Sequence, residues 1–222
     1  MKQAVATPIW SSSIGRKVIM SLSGLFLVTF LIAHLTGNLL LLKNDGGEAF
    51  NTYAHFMATS PLIRAAEIIM FAGFILHIVM AFRLNNGNTA ARPVPYKVKK
   101  SNHASFYSRF MIWSGTTVLL FLVIHLANFF VKHRIIGHEG MTLYDLTRET
   151  FQFEPYAIFY VVSMFFLTFH LAHGFQSGFQ SLGLQVNKKI HRTLNTAGLV
   201  LSILICGGFA MIPLYFLIQK YS

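Results

Sequence analysis

The sequence predicts an all-α integral membrane protein with five transmembrane helices. Three observations lead there. Of 222 residues, 54% are hydrophobic and 11% are charged, whereas a soluble domain carries about 25% charged residues. The mean hydropathy is +0.55. The apolar residues also gather into five runs, each near the roughly 20 residues that a helix needs to cross a bilayer.

The runs are about 18–42, 62–83, 109–131, 155–182 and 193–219, in a single membrane domain covering 1–222. Residues 1–17 hold no apolar h-region and no small-residue cleavage site, so the first run reads as a retained span and not as a signal peptide. The second run carries Arg64 and Glu67 in its first turns, which places its outer end at the headgroups. Before the third lies RLNNGNTAARPVPYKVKKSNHAS, whose Asn, Gly and two Pro predict a loop. Between the third and fourth lies HRIIGHEGMTLYDLTRETFQFEPY, expected to hold a short surface helix around Thr142 to Phe151. The fifth carries Cys206, the single cysteine, which precludes an intrachain disulfide.

Charge sets the orientation. The N-terminus and the 83–109 and 183–192 connections hold Lys2, Arg16, Lys17, Arg83, Arg92, Lys97, Lys99, Lys100, Arg109, Lys188, Lys189 and Arg192, with no acid among them. The other side holds Lys43, Arg64, Lys132, Arg134, Arg148 and Lys220 together with all seven acids. Cytoplasmic loops are enriched in Lys and Arg, so the N-terminus is expected in the cytoplasm and the C-terminus outside. The net charge of +11 then sits on the inner face, where topology alone explains it and docking of an acidic cytoplasmic partner is compatible. The basic residues are not interleaved with stacking aromatics on a soluble module, which argues against nucleic acid as a partner.

The chain contains a repeat. MSLSGLFLVTFLIAHL (20–35) aligns without gaps to MIWSGTTVLLFLVIHL (111–126), with identities at Ser23/Ser114, Gly24/Gly115, Phe30/Phe121 and His34/His125 among others. The following spans, GFILHIVMAF and FLTFHLAHGF, repeat the histidine and little else. Spans 1–2 and 3–4 therefore read as parallel repeats.

The spans hold His34, His77, His125, His170 and His173, while His55, His103, His133, His138 and His191 read as loop and surface residues. Ionisable residues inside a bilayer are rare and usually functional. Helix rise gives their depths. His34 lies about 25 Å along span 1 from Lys17, and His125 about 24 Å along span 3 from Arg109. His77 lies about 9 Å from the inner end of span 2, and His170 is also in the inner half of its span. Two pairs result: His34 with His125 towards the outside, and His77 with His170 towards the inside.

Two neutral imidazoles from facing helices can supply both axial ligands of a b-type haem. Two pairs would hold two haems, about 15 Å apart along the membrane normal, in a bundle of spans 1–4. The chain has no C-x-x-C-H, so covalent haem attachment is excluded. Zinc fits less well, because two ligands per level are too few. H-L-A-H at 170–173 also lacks the glutamate and the i,i+4 spacing of a zincin. Ser23 and Ser114 precede their histidines by eleven residues. Eleven residues return to nearly the same helix face, about 16 Å nearer the inside. Ser and Gly thus stand at the inner level, where small residues serve either a macrocycle's approach or ordinary helix packing. A haem-free transporter with a histidine proton relay is the reading from another class.

Together, SSSIGRKVIMSLSG leading to FLIAHLTGN, the second SG…FLVIHL, FYVVSMFFLTFHLAHGFQSGFQSLGL and GGFAMIPLY resemble the single-chain, two-haem cytochrome b membrane anchor of succinate:quinone oxidoreductases, the succinate dehydrogenase and fumarate reductase group. The resemblance implies His34 and His125 as ligands of the outer haem iron and His77 and His170 as ligands of the inner one. In the family's H-x-x-[HN]-G element the first histidine is the ligand, which favours His170 over His173. His173 is then expected near a propionate or a carbonyl, and Ser21 near the inner propionates. The resemblance further implies a flavoprotein (FAD) subunit and an iron–sulfur subunit on the cytoplasmic side. It implies membrane lipid and a quinone, expected to be menaquinone, as partners, and the bacterial cytoplasmic membrane as the location. This chain would be the electron-transferring, quinone-reactive subunit, with no dicarboxylate or flavin site of its own. Anchors of hydrogenases or formate dehydrogenases share the histidine logic but not the HLAHGF…SLGL and GGFAMIPLY elements.

Glu67 is the candidate for proton handling at the quinone. It lies ten residues before His77, about 15 Å outward. The competing role is an interfacial ion pair with Arg64 at i,i+3.

Overall fold

The computed structural model describes residues 12–90, 103–137 and 140–222, and these are helical with short connections and no strand. Helix α1 (Ser13–Asn38) continues as one 3₁₀ turn, Leu39–Leu42. Helices α2 (Glu48–Thr59) and α3 (Pro61–Ala90) follow. Helix α4 (His103–His125) runs on as a π-helix, Leu126–Ile136. Then come α5 (Leu143–Gln152), α6 (Glu154–Ser181) and α7 (Lys188–Gln219). Five segments are long and apolar enough to cross a membrane: Ser13–Leu42, Pro61–Ala90, Phe110–Ile136, Glu154–Ser181 and Lys188–Gln219. The chain is an all-α, multi-pass membrane protein. Its helices present large apolar side chains outward, among them Ile68, Ile69 and Ile75 on α3.

Local chemistry sets the helix ends. The Ser12 side chain accepts from the Gly15 amide at 3.0 Å and starts α1 earlier than the apolar run alone indicates. Asn187 does the same for α7, accepting from the Ile190 amide at 2.9 Å. Thr142 and Asp145 form a reciprocal capping box at the start of α5, the surface helix expected in that connection.

Four features differ from the expectations. The connection after span 2 is helical up to Ala90, and α4 is already helical at His103, so the predicted loop shrinks from both sides. Extending an existing helix needs no new nucleus, which lets α3 carry RLNNGNTA past its apolar run. The connection between spans 1 and 2 holds α2, whose short amphipathic pattern gave no span signal. Asp45 caps that helix by accepting from the Gly47 and Ala49 amides at 3.0 and 3.2 Å. The third span ends in a π-helix that reaches Ile136 rather than 131. His55, His133 and His191 are exposed, as expected for surface residues, but sit in helices and not in loops. Lys2, Arg92, Lys97, Lys99, Lys100, His138 and Glu139 lie outside the described residues.

Helix α1 packs on α3 and α6, α4 packs on α6, and α6 runs along α7 in the most extensive contact. One core cluster joins Met164, Leu167 and Leu171 of α6 to Ile205 and Cys206 of α7. A second, richer in aromatics, joins Leu41, Phe50, Tyr144, Phe151, Tyr160, Ile212 and Phe216. This second cluster lets the two short helices α2 and α5 close one end of the bundle. Gly47 makes the closure possible: its φ of 90° is a left-handed conformation, and a Cβ there would collide with the Tyr144 ring.

Candidate functional site

The structure brings the intramembrane histidines together in two places. The rings of His34 (α1) and His125 (α4) have centroids 5.8 Å apart and cross at 86°. The rings of His77 (α3) and His170 (α6) have centroids 6.4 Å apart and cross at 78°. All four side chains are half-buried. Both pairs reach between helices other than the closely packed partners α1/α3, α1/α6 and α4/α6.

Aromatic neighbours surround the His34–His125 pair. Phe30 stacks on His34 at 5.2 Å and 18°, and Phe121 stacks on His125 at 5.6 Å and 29°. Phe30 and Phe121 occupy the same repeat position, four residues before the histidine, which places them on the same helix face one turn away. Phe209 of α7 touches His34 at 5.6 Å, and Phe129 and Tyr160 touch His125 at 5.3 and 6.1 Å. The Asn38 amide donates to the His34 carbonyl at 2.8 Å and lies 3.3 Å from its Nδ1. His125 Nδ1 is buried without a hydrogen-bond partner.

The His77–His170 pair is held differently. Ser23 Oγ lies 3.2 Å from His77 Nδ1, and Ser114 Oγ lies 3.5 Å from His170 Nδ1. The adjacent glycines leave room for the rings. A Cβ on Gly24 would sit 3.2 Å from His77 Cε1, and one on Gly115 would sit 3.3 Å from His170 Cε1.

The remaining candidates lie further out. Ser21 is buried, donates to the Lys17 carbonyl at 2.8 Å and faces Gly178 of α6. His173 is half-buried, three residues beyond His170 on α6. Glu67 Oε2 accepts from Arg64 at 2.7 Å and from Arg134 of the π-helix at 3.3 Å. The ion pair with Arg64 thus exists and is extended by a second arginine. Among the described residues no group of three or more His, Cys, Asp or Glu side chains converges as a metal cluster.

Several contacts were not foreseen from sequence. Phe30 and Phe121 repeat at a fixed offset, which is a usable signal. Asn38 and Phe209 carry no such mark, since Asn38 is an isolated amide inside the first run and Phe209 belongs to the span without a histidine.

The chain is similar to the succinate dehydrogenase cytochrome b558 subunit of Bacillus subtilis (strain 168). The two are 27% identical over 183 residues, which covers 78% of this chain and 82% of that subunit. The chain is a homologue of that cytochrome b subunit. No family profile matches the sequence, and no solved structure matches it.

A cytochrome b carries haem, and the donors in this chain fit that group. Two metal–imidazole bonds of about 2 Å each, plus the step from each nitrogen to its ring centre, put the centroids of two axial rings roughly 6 Å apart. The two pairs stand at 5.8 and 6.4 Å. Neutral imidazole suits iron, and the aromatic and glycine surfaces around the rings suit a flat apolar macrocycle.

Proposed function

We propose that this chain is the two-haem cytochrome b subunit that anchors a succinate dehydrogenase or fumarate reductase to the membrane. In that role it carries electrons between an iron–sulfur subunit and a membrane quinone, with menaquinone as the expected one. The observation that carries the proposal is the pair of histidine couples, each with ring centres near 6 Å, set in four membrane-crossing helices.

His34 and His125 would hold one haem iron, and His77 and His170 the other. Haem, when bound, supplies reversible one-electron chemistry that no side chain of this protein offers. The protein's own part is to fix imidazole orientation, exclude water and set the local dielectric. Phe30, Phe121 and Phe209 exclude water around His34 and His125. On α6 the ligand would be His170, whose ring centre lies 6.4 Å from that of His77.

Arg16, Lys17 and Arg83, with Lys188, Lys189 and Arg192, crowd the inner ends of α1, α3 and α7, which supports a cytoplasmic N-terminus. That cationic face would receive the iron–sulfur subunit, with the flavoprotein bound beyond it. Glu67, at the other end and held by two arginines, stays the candidate for proton exchange with quinone.

Purification from native membranes tests the proposal. The expected result is about two b haems per chain by pyridine haemochrome, following the two bis-histidine pairs, with a flavoprotein and an iron–sulfur protein co-purifying. A preparation without a Soret band, or one with a nickel or molybdenum subunit and no flavoprotein, overturns it.

A further inference from the structure

We infer that Ser23 and Ser114 are positioning residues for the His77–His170 pair, although each stands on a helix that gives its histidine to the other pair. This deepens the proposed haem-holding role and rests on it. The hydroxyl directions follow from geometry. Ser23 Oγ lies 3.0 Å from the Met20 carbonyl, and Ser114 Oγ lies 3.2 Å from the Met111 carbonyl. A serine has one O–H donor. With that proton given to the carbonyl three residues back, Oγ turns a lone pair to the neighbouring imidazole. It therefore accepts from His77 Nδ1–H at 3.2 Å and from His170 Nδ1–H at 3.5 Å.

The consequence is a fixed tautomer. With Nδ1 protonated and held, Nε2 keeps a bare lone pair, the form that binds a metal. Both serines are buried, Ser114 completely, so water does not compete for these bonds. The two contacts occupy identical repeat positions and act on rings from the following span of each repeat, α3 for Ser23 and α6 for Ser114. Two copies of one local solution, preserved where the rest of those spans diverges, mark it as more than helix packing. A hydrogen bond to the far ring nitrogen raises the basicity of a ligating imidazole, which favours ferric iron and lowers the midpoint potential.

The test is an optical redox titration of the purified complex carrying Ser23→Ala, Ser114→Ala or Ser23→Thr, with His77→Ala marking which haem component belongs to the His77–His170 pair. Each alanine variant is expected to raise the midpoint of that component, or to lose it, while the His34–His125 component is unchanged. Ser23→Thr keeps a hydroxyl and should return the midpoint towards the parent value. Movement of the His34–His125 component, loss of both components, or unchanged midpoints in both alanine variants overturns the inference. A parent complex with two b haems keeps the proposed function standing in each of those cases; a haem-free parent removes both.

Discussion

The two histidine pairs are built by opposite means. His34 and His125 are stacked upon by phenylalanines of their own helices, one turn earlier. His77 and His170 are met by a serine and a glycine from a neighbouring helix. The first arrangement is mainly aromatic: each histidine is stacked by a phenylalanine one turn earlier on its own helix, with Phe209 of α7 and Tyr160 of α6 added from neighbouring helices. The second is interhelical and directional: it depends on serine–imidazole contacts of 3.2 and 3.5 Å and on a glycine beside each ring. The difference teaches that one repeat can serve two sites. FLIAHL and FLVIHL furnish one level, and the SG that precedes each furnishes the other.

The largest expected effects come from the four proposed ligands. His34→Ala and His125→Ala should each remove the same haem, and His77→Ala and His170→Ala the other, so haem per chain falls from about two to about one in each case. Loss of the haem component assigned to His77 in His173→Ala, with His170→Ala retaining it, would break the comparison at its α6 end.

Next come the glycines. Gly24→Val places branched carbon where a Cβ already approaches His77 Cε1 to 3.2 Å. Overpacking of this kind costs about 1–3 kcal/mol, and the spectrum should lose or distort the His77–His170 component alone. Gly115→Val should do the same from the other repeat.

Smaller effects are expected at the aromatic level. Phe30→Leu keeps most of the apolar area but removes a ring stack worth about 0.5–1.5 kcal/mol. A thermal melt monitored at the Soret band should show the His34–His125 component destabilised by about that amount, with the other component unmoved. The smallest change is expected from Glu67→Gln. Its ion pairs are partly exposed, with Arg64 at 45% and Glu67 at 19% accessibility, and such pairs contribute roughly 0–1 kcal/mol. Haem content should be unchanged, so a large loss of quinone turnover in this variant would isolate a proton-handling role from a structural one.

Much of the bundle was legible because membrane spans and depth are one-dimensional properties. A count of residues from Lys17 and Arg109 is enough to bring His34 level with His125, and those are the rings that meet. The same arithmetic brings His77 to His170. Ser23 and Ser114 were assigned the right level, but not their contact, because a helix face can be read from periodicity while the ring it touches cannot. Helix α2 was missed for a different reason. Its twelve residues carry no span-length apolar run, and the Asp45 cap that starts it resembles any polar turn. The π-helix after His125 has no sequence mark; its residues Phe130 and Arg134 meet Phe71 and Glu67 of α3, contacts that local sequence does not reveal.

The serine contacts join helices within one repeat, α1 to α3 and α4 to α6. The histidine contacts join one repeat to the other. During insertion, a hairpin of α1 and α3 can therefore orient His77 by itself, yet it presents only half of each site. Completion waits for α4 and α6. If each histidine pair holds a haem as proposed, cofactor capture would report that both halves have arrived in register, and would fasten them at two heights at once, so that neither half could slide along the other without undoing both attachments.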